Sequence, residues 1–401
     1  MRRNSVQTAD LESDILKRIR VRSGISRVNL ARDLGLSPST VGVYVERLMA
    51  EGFLTESAKA SRDNGRPPKL LHLNAAGGEF IGVDFEARNI LAVAVDFADR
   101  PLRHAHKEIA EGDSVNVIVK KIQQAIVEVS PKNASSLLAI GIGVPGLVDV
   151  ANGIAIDYRF IPHWQNVPLA ERLRKRFPVP VFLENTMRAM ALAELWFGQG
   201  RDSTDFLCVC IRSGLGAGMV SHGGLHRGGH HTAGELGRWR LPVGPGAASP
   251  YFTGQSEDGL EVQDVASARA IQKALQKALG MNKPTVLRGL AHPPTLDDIF
   301  RAAQQKDPLT LEIVGHAASE LGSALGNLTL AVDPLKIILA GQLTPLGETF
   351  LGPLRAAVAR TLRPSGLRLP EIVNSTLGEY IGALGAAALA LHEWKPNRAE
   401  Q

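Results

Sequence analysis

Near Phe80 the sequence changes from apolar residues at helical spacing to runs of consecutive apolar residues. Before this point Leu11, Ile15 and Ile19 recur at every fourth position, a spacing typical of an amphipathic helix. After it, apolar runs such as 80–85 predict strands that alternate with helix-spaced segments, which indicates an α/β body. The 401 residues are enough for two or three domains.

The charge of the chain is concentrated at its N-terminus. Residues 1–70 contain 13 Lys or Arg and 8 Asp or Glu, whereas the remainder contains 32 of each class. A basic module joined to a neutral body predicts that a polyanion binds the N-terminal part. Two cysteines cannot build a disulfide framework, and no apolar run reaches about 18 residues. We therefore expect a cytoplasmic protein without a membrane span.

Three short helices are predicted in the basic module. The first covers 11–21 and the second 28–34. The third begins at Ser37, a good N-cap, followed by Pro38 at the first helical position, and should run to about Ala50. This pattern predicts a helix-turn-helix whose third helix enters the major groove of DNA.

The residues predicted to contact DNA lie on this third helix and on a wing. Two strands after residue 53, joined by a turn carrying Gly-Arg-Pro, predict the wing, and its tip residue can enter a narrow minor groove. Hydroxyls can hydrogen-bond base edges, an apolar side chain can touch a thymine methyl, and arginine can reach phosphate. The predicted contacts are Ser37, Ser39, Thr40, Val43, Arg47 and the wing residue Arg66. The alternative is a module used only for packing or dimerisation.

Several motifs of the body resemble the ROK family of repressors and sugar kinases. They are Gly141-Ile-Gly-Val-Pro-Gly146, Leu183-Glu-Asn-Thr186, Gly214-Leu-Gly-Ala-Gly218, Ala233-Gly-Glu-Leu-Gly-Arg238 and Ile337-Ile-Leu-Ala-Gly341. The resemblance implies an actin-like, ribonuclease-H-like body of two lobes with a sugar site in the cleft between them. The expected domains are a winged helix-turn-helix over 1–75, lobe 1 over 76–187 completed by a C-terminal helix at about 375–395, and lobe 2 over 188–374.

Compared with the family's kinases, this body lacks two features that phosphoryl transfer needs. The kinases carry Asp-x-Gly-Gly-Thr at the phosphates, but here Asp84 is followed by Phe85, Glu86 and Ala87. A carboxylate and a β-carbon in that loop oppose phosphate binding. The kinases also use the aspartate of Glu-Asn-Asp as the base, and Thr186 stands there with a hydroxyl that cannot accept a proton usefully at pH 7. We expect no catalytic residue.

The resemblance also bears on metal binding. Arg238 replaces a histidine that ligates a structural zinc in many members, and residues 247–260 contain no cysteine. Cys208 and Cys210 lie on a predicted strand, 206–211, where core packing explains them better than a metal. The histidines at 222, 226, 230 and 231 invite a metal interpretation, but glycines separate them in a loop. We expect neither metal nor cofactor.

Sugar recognition needs carboxylates and amides that hydrogen-bond neighbouring hydroxyls. By the family motif, the sugar-binding positions are Gly146, Asn185, Glu235, Arg238 and Glu261. An arginine at 238 keeps hydrogen-bond donors but adds a fixed charge, which would suit an acidic, phosphorylated or differently configured sugar. The alternative is that the two glutamates are surface or hinge carboxylates without a ligand.

These observations predict a sugar-responsive transcriptional repressor that acts as a homodimer or homotetramer. Its partners are operator DNA and a sugar or sugar derivative, and it is not an enzyme. Two other hypotheses remain open at this point: a sugar kinase that retains a DNA-binding arm, and a constitutive DNA-binding protein that binds no sugar.

Overall fold

The computed structural model describes residues 2–58, 69–158, 160–241, 249–253, 259–281 and 283–396. It divides into two compact units, Met1–Ala189 with Gly382–Gln401 and Met190–Ile381. We call residues 79–189 with 382–396 lobe 1, and residues 190–381 lobe 2. The N-terminal winged helix belongs to the same compact unit as lobe 1. None of the helices in these ranges is long and apolar enough to cross a membrane.

The N-terminal elements confirm the predicted helix-turn-helix. They are α1 Arg2–Val21, β1 Ile25–Ser26, α2 Arg27–Leu34, α3 Pro38–Ala50, β2 Leu54–Ala58 and β3 Lys69–Leu73. Helix α1 starts earlier than the 11–21 pattern indicates. Ser26 and Ser37 cap α2 and α3 by accepting backbone hydrogen bonds, and Gly35 ends α2 in the left-handed region. The strands form an antiparallel sheet in the order β1-β3-β2.

Lobe 1 contains a meander of three strands followed by parallel strands. Its elements are β4 Glu79–Phe85, β5 Asn89–Asp96, β6 Pro101–Glu108, α4 Val115–Val129, β7 Leu137–Val144, β8 Leu147–Asp149, β9 Ile154–Asp157, β10 Gln165–Val167, α5 Leu169–Arg174 and β11 Val181–Asn185. The main sheet has the order β11-β7-β4-β5-β6, with β4, β7 and β11 parallel and β5 antiparallel. The apolar face of α4 covers it.

Lobe 2 repeats this arrangement. Its elements are α6 Thr186–Phe197, which begins in lobe 1, then β12 Phe206–Ile211, β13 Leu215–Ser221, β14 Gly224–His226, α7 Gln263–Ala266, α8 Ala268–Leu279, α9 Leu296–Gln304, α10 Pro308–Val332, β15 Lys336–Gly341, α11 Glu348–Leu362 and β16 Glu371–Asn374. The sheet order β14-β13-β12-β15-β16 again places an antiparallel meander beside two parallel strands. Two such sheets confirm the actin-like, ribonuclease-H-like fold.

The last helix, α12, spans Ile381–Glu393 and packs with its backbone against lobe 1. A β-carbon added at Gly141 on β7 would lie 1.8 Å from the carbonyl oxygen of Ala386. One added at Gly82 on β4 would lie 2.0 Å from that of Ala383, and the two glycines are paired neighbours in the sheet. The small residues of this C-terminal helix and of the sheet therefore let the two backbones approach closely.

Two groups of buried polar atoms lie near the sheet of lobe 2. The Sγ atoms of Cys208 and Cys210 are 3.6 Å apart in the core, where the hydrogen bond between them and burial raise the pKa of the Cys208 thiol. Glu194 on α6 is fully buried, and its Oε2 accepts from the Gln199 amide at 2.8 Å. Burial raises the pKa of Glu194, although a hydrogen bond with Ser375 acts in the opposite direction.

The raised pKa of Glu194 predicts a pH-dependent contribution to stability. A carboxyl whose folded pKa exceeds its unfolded value stabilises the fold at low pH, and this contribution is lost as pH rises through the folded pKa. We therefore expect Glu194→Gln, which stays neutral, to have a higher free energy of unfolding than wild type at pH 8. Urea unfolding between pH 4 and pH 8 should show the difference shrinking toward pH 4.

Glu312 on α10 provides a control of opposite sign. Burial raises the pKa of Glu312, but hydrogen bonds with Lys283 and Tyr251 outweigh it, so the net pKa is lowered. Glu312→Gln should therefore lose stability relative to wild type at pH 8. If the stability of both glutamine variants relative to wild type changed with pH in the same direction, burial of Glu194 would not have the expected effect on stability.

Candidate DNA interface and sugar site

The N-terminus of α3 presents a connected group of hydroxyls. Ser37 Oγ accepts from the Thr40 amide at 3.1 Å and lies 2.9 Å from Ser39 Oγ and 2.7 Å from Thr40 Oγ1. Ser37 and Ser39 are exposed, Thr40 is half-buried, and the first turn of α3 contains no acidic residue. Backbone amides at a helix N-terminus favour anions, so these hydroxyls lie where a phosphate or a base edge would be contacted.

The remaining predicted DNA contacts differ in their surroundings. Val43 is 58% exposed, as expected for an outward position. Arg47 Nη1 instead pairs with Oε1 of the buried Glu12 at 3.3 Å, and the guanidinium lies 5.5 Å from the ring centroid of Tyr44. Tyr44 itself is half-buried. A phosphate contact by Arg47 therefore competes with Glu12, and Arg66 lies outside the described residues.

Gly42 offers a test of how closely α3 approaches DNA. A β-carbon added there meets no atom within 4 Å, so Gly42→Ala should stabilise the free protein by about 0.5–1 kcal/mol. If glycine is present because the DNA backbone passes close by, the same variant should bind operator at least fivefold more weakly. Thermal unfolding and fluorescence anisotropy with labelled operator measure the two effects.

Gly315→Ala on α10 is the matched control, because its added β-carbon also meets no atom within 4 Å. This variant should gain similar stability without a change in operator affinity. Operator binding by Gly42→Ala at the wild-type level would reject the close-approach interpretation.

In lobe 1, Asn185 positions Gly146. Its Nδ2 donates to the Gly146 carbonyl at 2.9 Å, and its Oδ1 accepts from the Met187 amide at 2.9 Å at the start of α6. Gly146 has φ +75°, and a β-carbon there would lie 2.1 Å from the Asp157 carbonyl oxygen. Only glycine fits this turn, and Asn185, 6% exposed, holds it in place.

Thr186, which the resemblance matches to the base of the family's kinases, is also in lobe 1. Thr186 Oγ1 donates to Asp84 Oδ1 at 3.0 Å, and both residues are 2% exposed. Next to it, Glu184 Oε1 accepts from Arg188 Nε at 2.7 Å in a buried ion pair. The Thr186 hydroxyl therefore serves as a donor to a carboxylate, the opposite of what a base does.

In lobe 2, two glycines hold Glu235 and Arg238 against β13. A β-carbon at Gly234 would lie 1.7 Å from the Ala217 carbonyl oxygen, and one at Gly237 would lie 2.2 Å from that of Leu215. Each glycine directly precedes one member of an ion pair: Arg238 Nε pairs with Glu235 Oε2 at 3.1 Å, with both side chains at the surface. The arginine charge is thus shared with Glu235, which lowers the net charge that a ligand would meet.

Glu261 is brought to the same part of lobe 2 by backbone pairing. The Leu241 amide bonds the Leu260 carbonyl at 2.9 Å, so the segment after Arg238 runs beside Glu261. Gln263 Nε2 donates to Glu261 Oε2 at 2.5 Å. A β-carbon at Gly237 would lie 3.3 Å from Gln263 Cβ. Sequence reasoning missed Gln263, because a single glutamine two residues after Glu261 carries no recognisable signal.

The described part of the chain contains no group of three or more His, Cys, Asp or Glu residues that could hold a metal ion. His222 is exposed, and its Nδ1 lies 2.9 Å from Ser221 Oγ. The side chains at 226, 230 and 231 are exposed as well.

Two family models match the chain, one over the two-lobed body and one over the N-terminal helix-turn-helix. The ROK family model matches residues 80–393, and a winged helix-turn-helix DNA-binding model matches residues 9–55. The chain belongs to the ROK family. Its ROK body follows a winged helix, which makes it a ROK transcriptional regulator.

Individual relatives fall into both branches of the ROK family. A xylose repressor of Caldicellulosiruptor bescii is 27% identical, with 94% of each chain covered. A glucokinase of Thermotoga maritima is 32% identical, covering 78% of this ROK chain and 96% of the glucokinase. The crystal structure of a ROK family transcriptional regulator, a homologue of the Escherichia coli MLC protein, superimposes with a TM-score of 0.78 at 23% identity, covering 96% of both chains. The last comparison shows the shared fold, and the first extends through the winged helix.

Proposed function

We propose that this ROK protein is a sugar-responsive repressor that binds operator DNA through its winged helix and does not phosphorylate the sugar. The observation that carries the second part is the hydrogen bond from Thr186 to Asp84 at the base position. A hydroxyl that donates to a buried carboxylate cannot take a proton from a sugar at neutral pH. Glu86 in the β4–β5 turn adds a carboxylate where phosphates would bind.

For DNA, the proposal uses Ser37, Ser39 and Thr40 at the N-terminus of α3, with Val43, Arg47 and Arg66 beside them. For the sugar, it uses Gly146 and Asn185 of lobe 1 and Glu235, Arg238 and Glu261 of lobe 2. Gln263 acts as a positioning residue because its amide holds Glu261. Because Glu235 offsets the charge of Arg238, the site can bind a neutral sugar as readily as an acidic one.

A thermal-shift screen with D-xylose, D-glucose, N-acetyl-D-glucosamine and their phosphates tests sugar binding. Binding to the folded state alone raises stability, by about 2.7 kcal/mol at a hundred times the dissociation constant. Operator fragments selected from genomic DNA should then lose affinity by about 5- to 150-fold when a stabilising sugar is added. By linkage, operator must weaken sugar binding by the same factor.

The kinase alternative is separated by measuring ADP release with ATP and the same sugars. Sustained turnover that disappears in Glu261→Gln would establish a kinase. A chain that binds operator but shows no thermal shift with any sugar would instead be a constitutive DNA-binding protein. Each result contradicts a different part of the proposed function.

A further inference from the structure

The winged helix is joined to lobe 1 through a short and closely packed connection. Five residues separate β3 from β4, and Ala75–Gly77 among them form a 3₁₀ turn. Asn74 Nδ2 donates to the Gly52 carbonyl at 2.7 Å, which ties the connection back to the wing. A β-carbon at Gly77 would lie 3.1 Å from the Gly52 oxygen and 3.3 Å from Phe53. A chain packed this tightly is not a flexible linker.

Four aromatic rings cross this junction. Phe53 comes from the winged helix, Phe80 from β4, Phe97 from the turn after β5, and Trp394 from the residue after α12. Ring centroids are 5.0 Å apart for Phe53 and Phe97 and 5.2 Å for Phe53 and Trp394, and Trp394 lies 5.7–5.8 Å from the other two. We call these residues the junction cluster. Trp394 is 7% exposed, and its ring, like that of Phe97, lies within 5.9 Å of every other ring of the cluster.

Arg20 on α1 forms a second, polar contact between the winged helix and lobe 1. Its side chain is 5% exposed, forms an ion pair with Asp99, and donates from Nη1 to the Phe97 carbonyl at 3.0 Å. Its guanidinium also lies 5.4 Å from the Phe97 ring centroid. Burial lowers the pKa of Arg20 to about 9, against the effect of the Asp96 carboxylate, so the group is still charged at neutral pH. A fork-shaped, buried guanidinium fixes orientation as well as distance.

Helix α12 connects the junction cluster with the Thr186–Asp84 pair. A β-carbon at Gly382, in the first turn of α12, would lie 2.1 Å from Asp84 Oδ2. From there the helix runs over Gly82 and Gly141 in backbone contact and ends beside Trp394. The chain passes between the two compact units just after Thr186, at 189/190, and just before Gly382, at 381/382.

We propose that the winged helix and lobe 1 are one rigid body, held by the junction cluster and Arg20, with α12 as the element that relates the Asp84 region to the DNA-binding surface. Given the proposed function, sugar alters DNA affinity by reorienting this whole body, and the winged helix does not swing on a linker. Two parts of a protein that share a close-packed interface move together, because such an interface deforms little. Trp394 and Arg20 act as positioning residues for α3.

Time-resolved fluorescence anisotropy of the full chain tests the rigid body without any ligand. A dye at Ala50→Cys, at the exposed end of α3, is compared with the same dye at Lys120→Cys on α4 of lobe 1; both native cysteines are buried. Wild type should show the same slow decay at both positions. Trp394→Ala should add a fast component at position 50 only, and Trp394→Phe should not. Arg20→Met provides the same test should Trp394→Ala not fold.

A fast component at position 50 in the wild-type background would overturn the proposal, and so would an unchanged decay in both Trp394→Ala and Arg20→Met. Operator binding tests the route of the signal. The sugar found in the thermal-shift screen should change the operator affinity of Trp394→Ala by less than a third of the fold-change that it causes in wild type. A full response in a variant with added mobility would overturn the proposed route of the signal. If wild type itself does not respond to sugar, the proposed function fails while the anisotropy result stands.

Discussion

Replacing Thr186 by aspartate, the residue of the family's kinases, is expected to destabilise the protein and to give no ADP release. Thr186 donates to Asp84 at 3.0 Å, and both residues are 2% exposed. A second carboxylate there removes the donor and places like charges in contact without water. Loss of a hydrogen bond to a charged group costs about 1.5–3 kcal/mol, and repulsion between the two carboxylates adds to this. Phosphoryl transfer should remain absent because Glu86 and Ala87 still occupy the phosphate loop.

The destabilisation by Thr186→Asp should depend on pH. Two carboxylates in contact cannot both ionise easily, so the pKa of one is raised above its unfolded value. Stability is then present at low pH and is lost as pH rises through that pKa. The free energy of unfolding should therefore differ from wild type more at pH 8 than at pH 5, measured by urea denaturation.

Thr186→Asn is the matched control, because it has the shape of aspartate but keeps a donor for Asp84 and adds no charge. It should be clearly more stable than Thr186→Asp at pH 8. Equal stability of the two variants would mean that charge repulsion with Asp84 is not what excludes aspartate. Sustained ATP turnover by Thr186→Asp would mean that the altered phosphate loop still accepts nucleotide.

Local patterns were sufficient to predict the helices of the N-terminal module and single buried strands of the body. Ser37 and Pro38 marked the start of α3 because capping depends on residues next to each other in sequence. The apolar runs of β4 and β12 marked buried strands for the same reason. The duplicated sheet, in contrast, was inferred from resemblance to a family, since strand order depends on pairings between distant residues.

The surroundings of single side chains could not be predicted in this way. Arg47 was expected to reach phosphate, but its partner Glu12 lies 35 positions earlier on α1. Asn185 was expected to contact sugar, and the structure also gives it a structural role in holding Gly146. Trp394 carries no sequence signal, and its importance follows only from packing against rings more than 290 positions away. Such contacts are set by tertiary structure, which spacing along the chain does not encode.

Gly141→Ala is expected to destabilise the protein strongly, although it adds only one methyl group. The new β-carbon would lie 1.8 Å from the Ala386 carbonyl oxygen, a backbone atom that cannot rotate away. Helix α12 would have to rise from the sheet and would lose its contact with the neighbouring Gly82. Overpacking a core costs about 1–3 kcal/mol and occasionally more. We expect at least about 3 kcal/mol here, because a whole helix must move.

Gly352→Ala on α11 is the control, since its added β-carbon meets no atom within 4 Å, and it should be neutral or slightly stabilising. Urea unfolding at pH 7 measures both variants. Because α12 ends at the junction cluster, the displaced helix in Gly141→Ala should also withdraw Trp394 and increase the mobility of the dye at position 50. A Gly141→Ala protein as stable as wild type would mean that α12 is not seated on the sheet by backbone contact, and the connection from Asp84 to the winged helix would lose its physical basis.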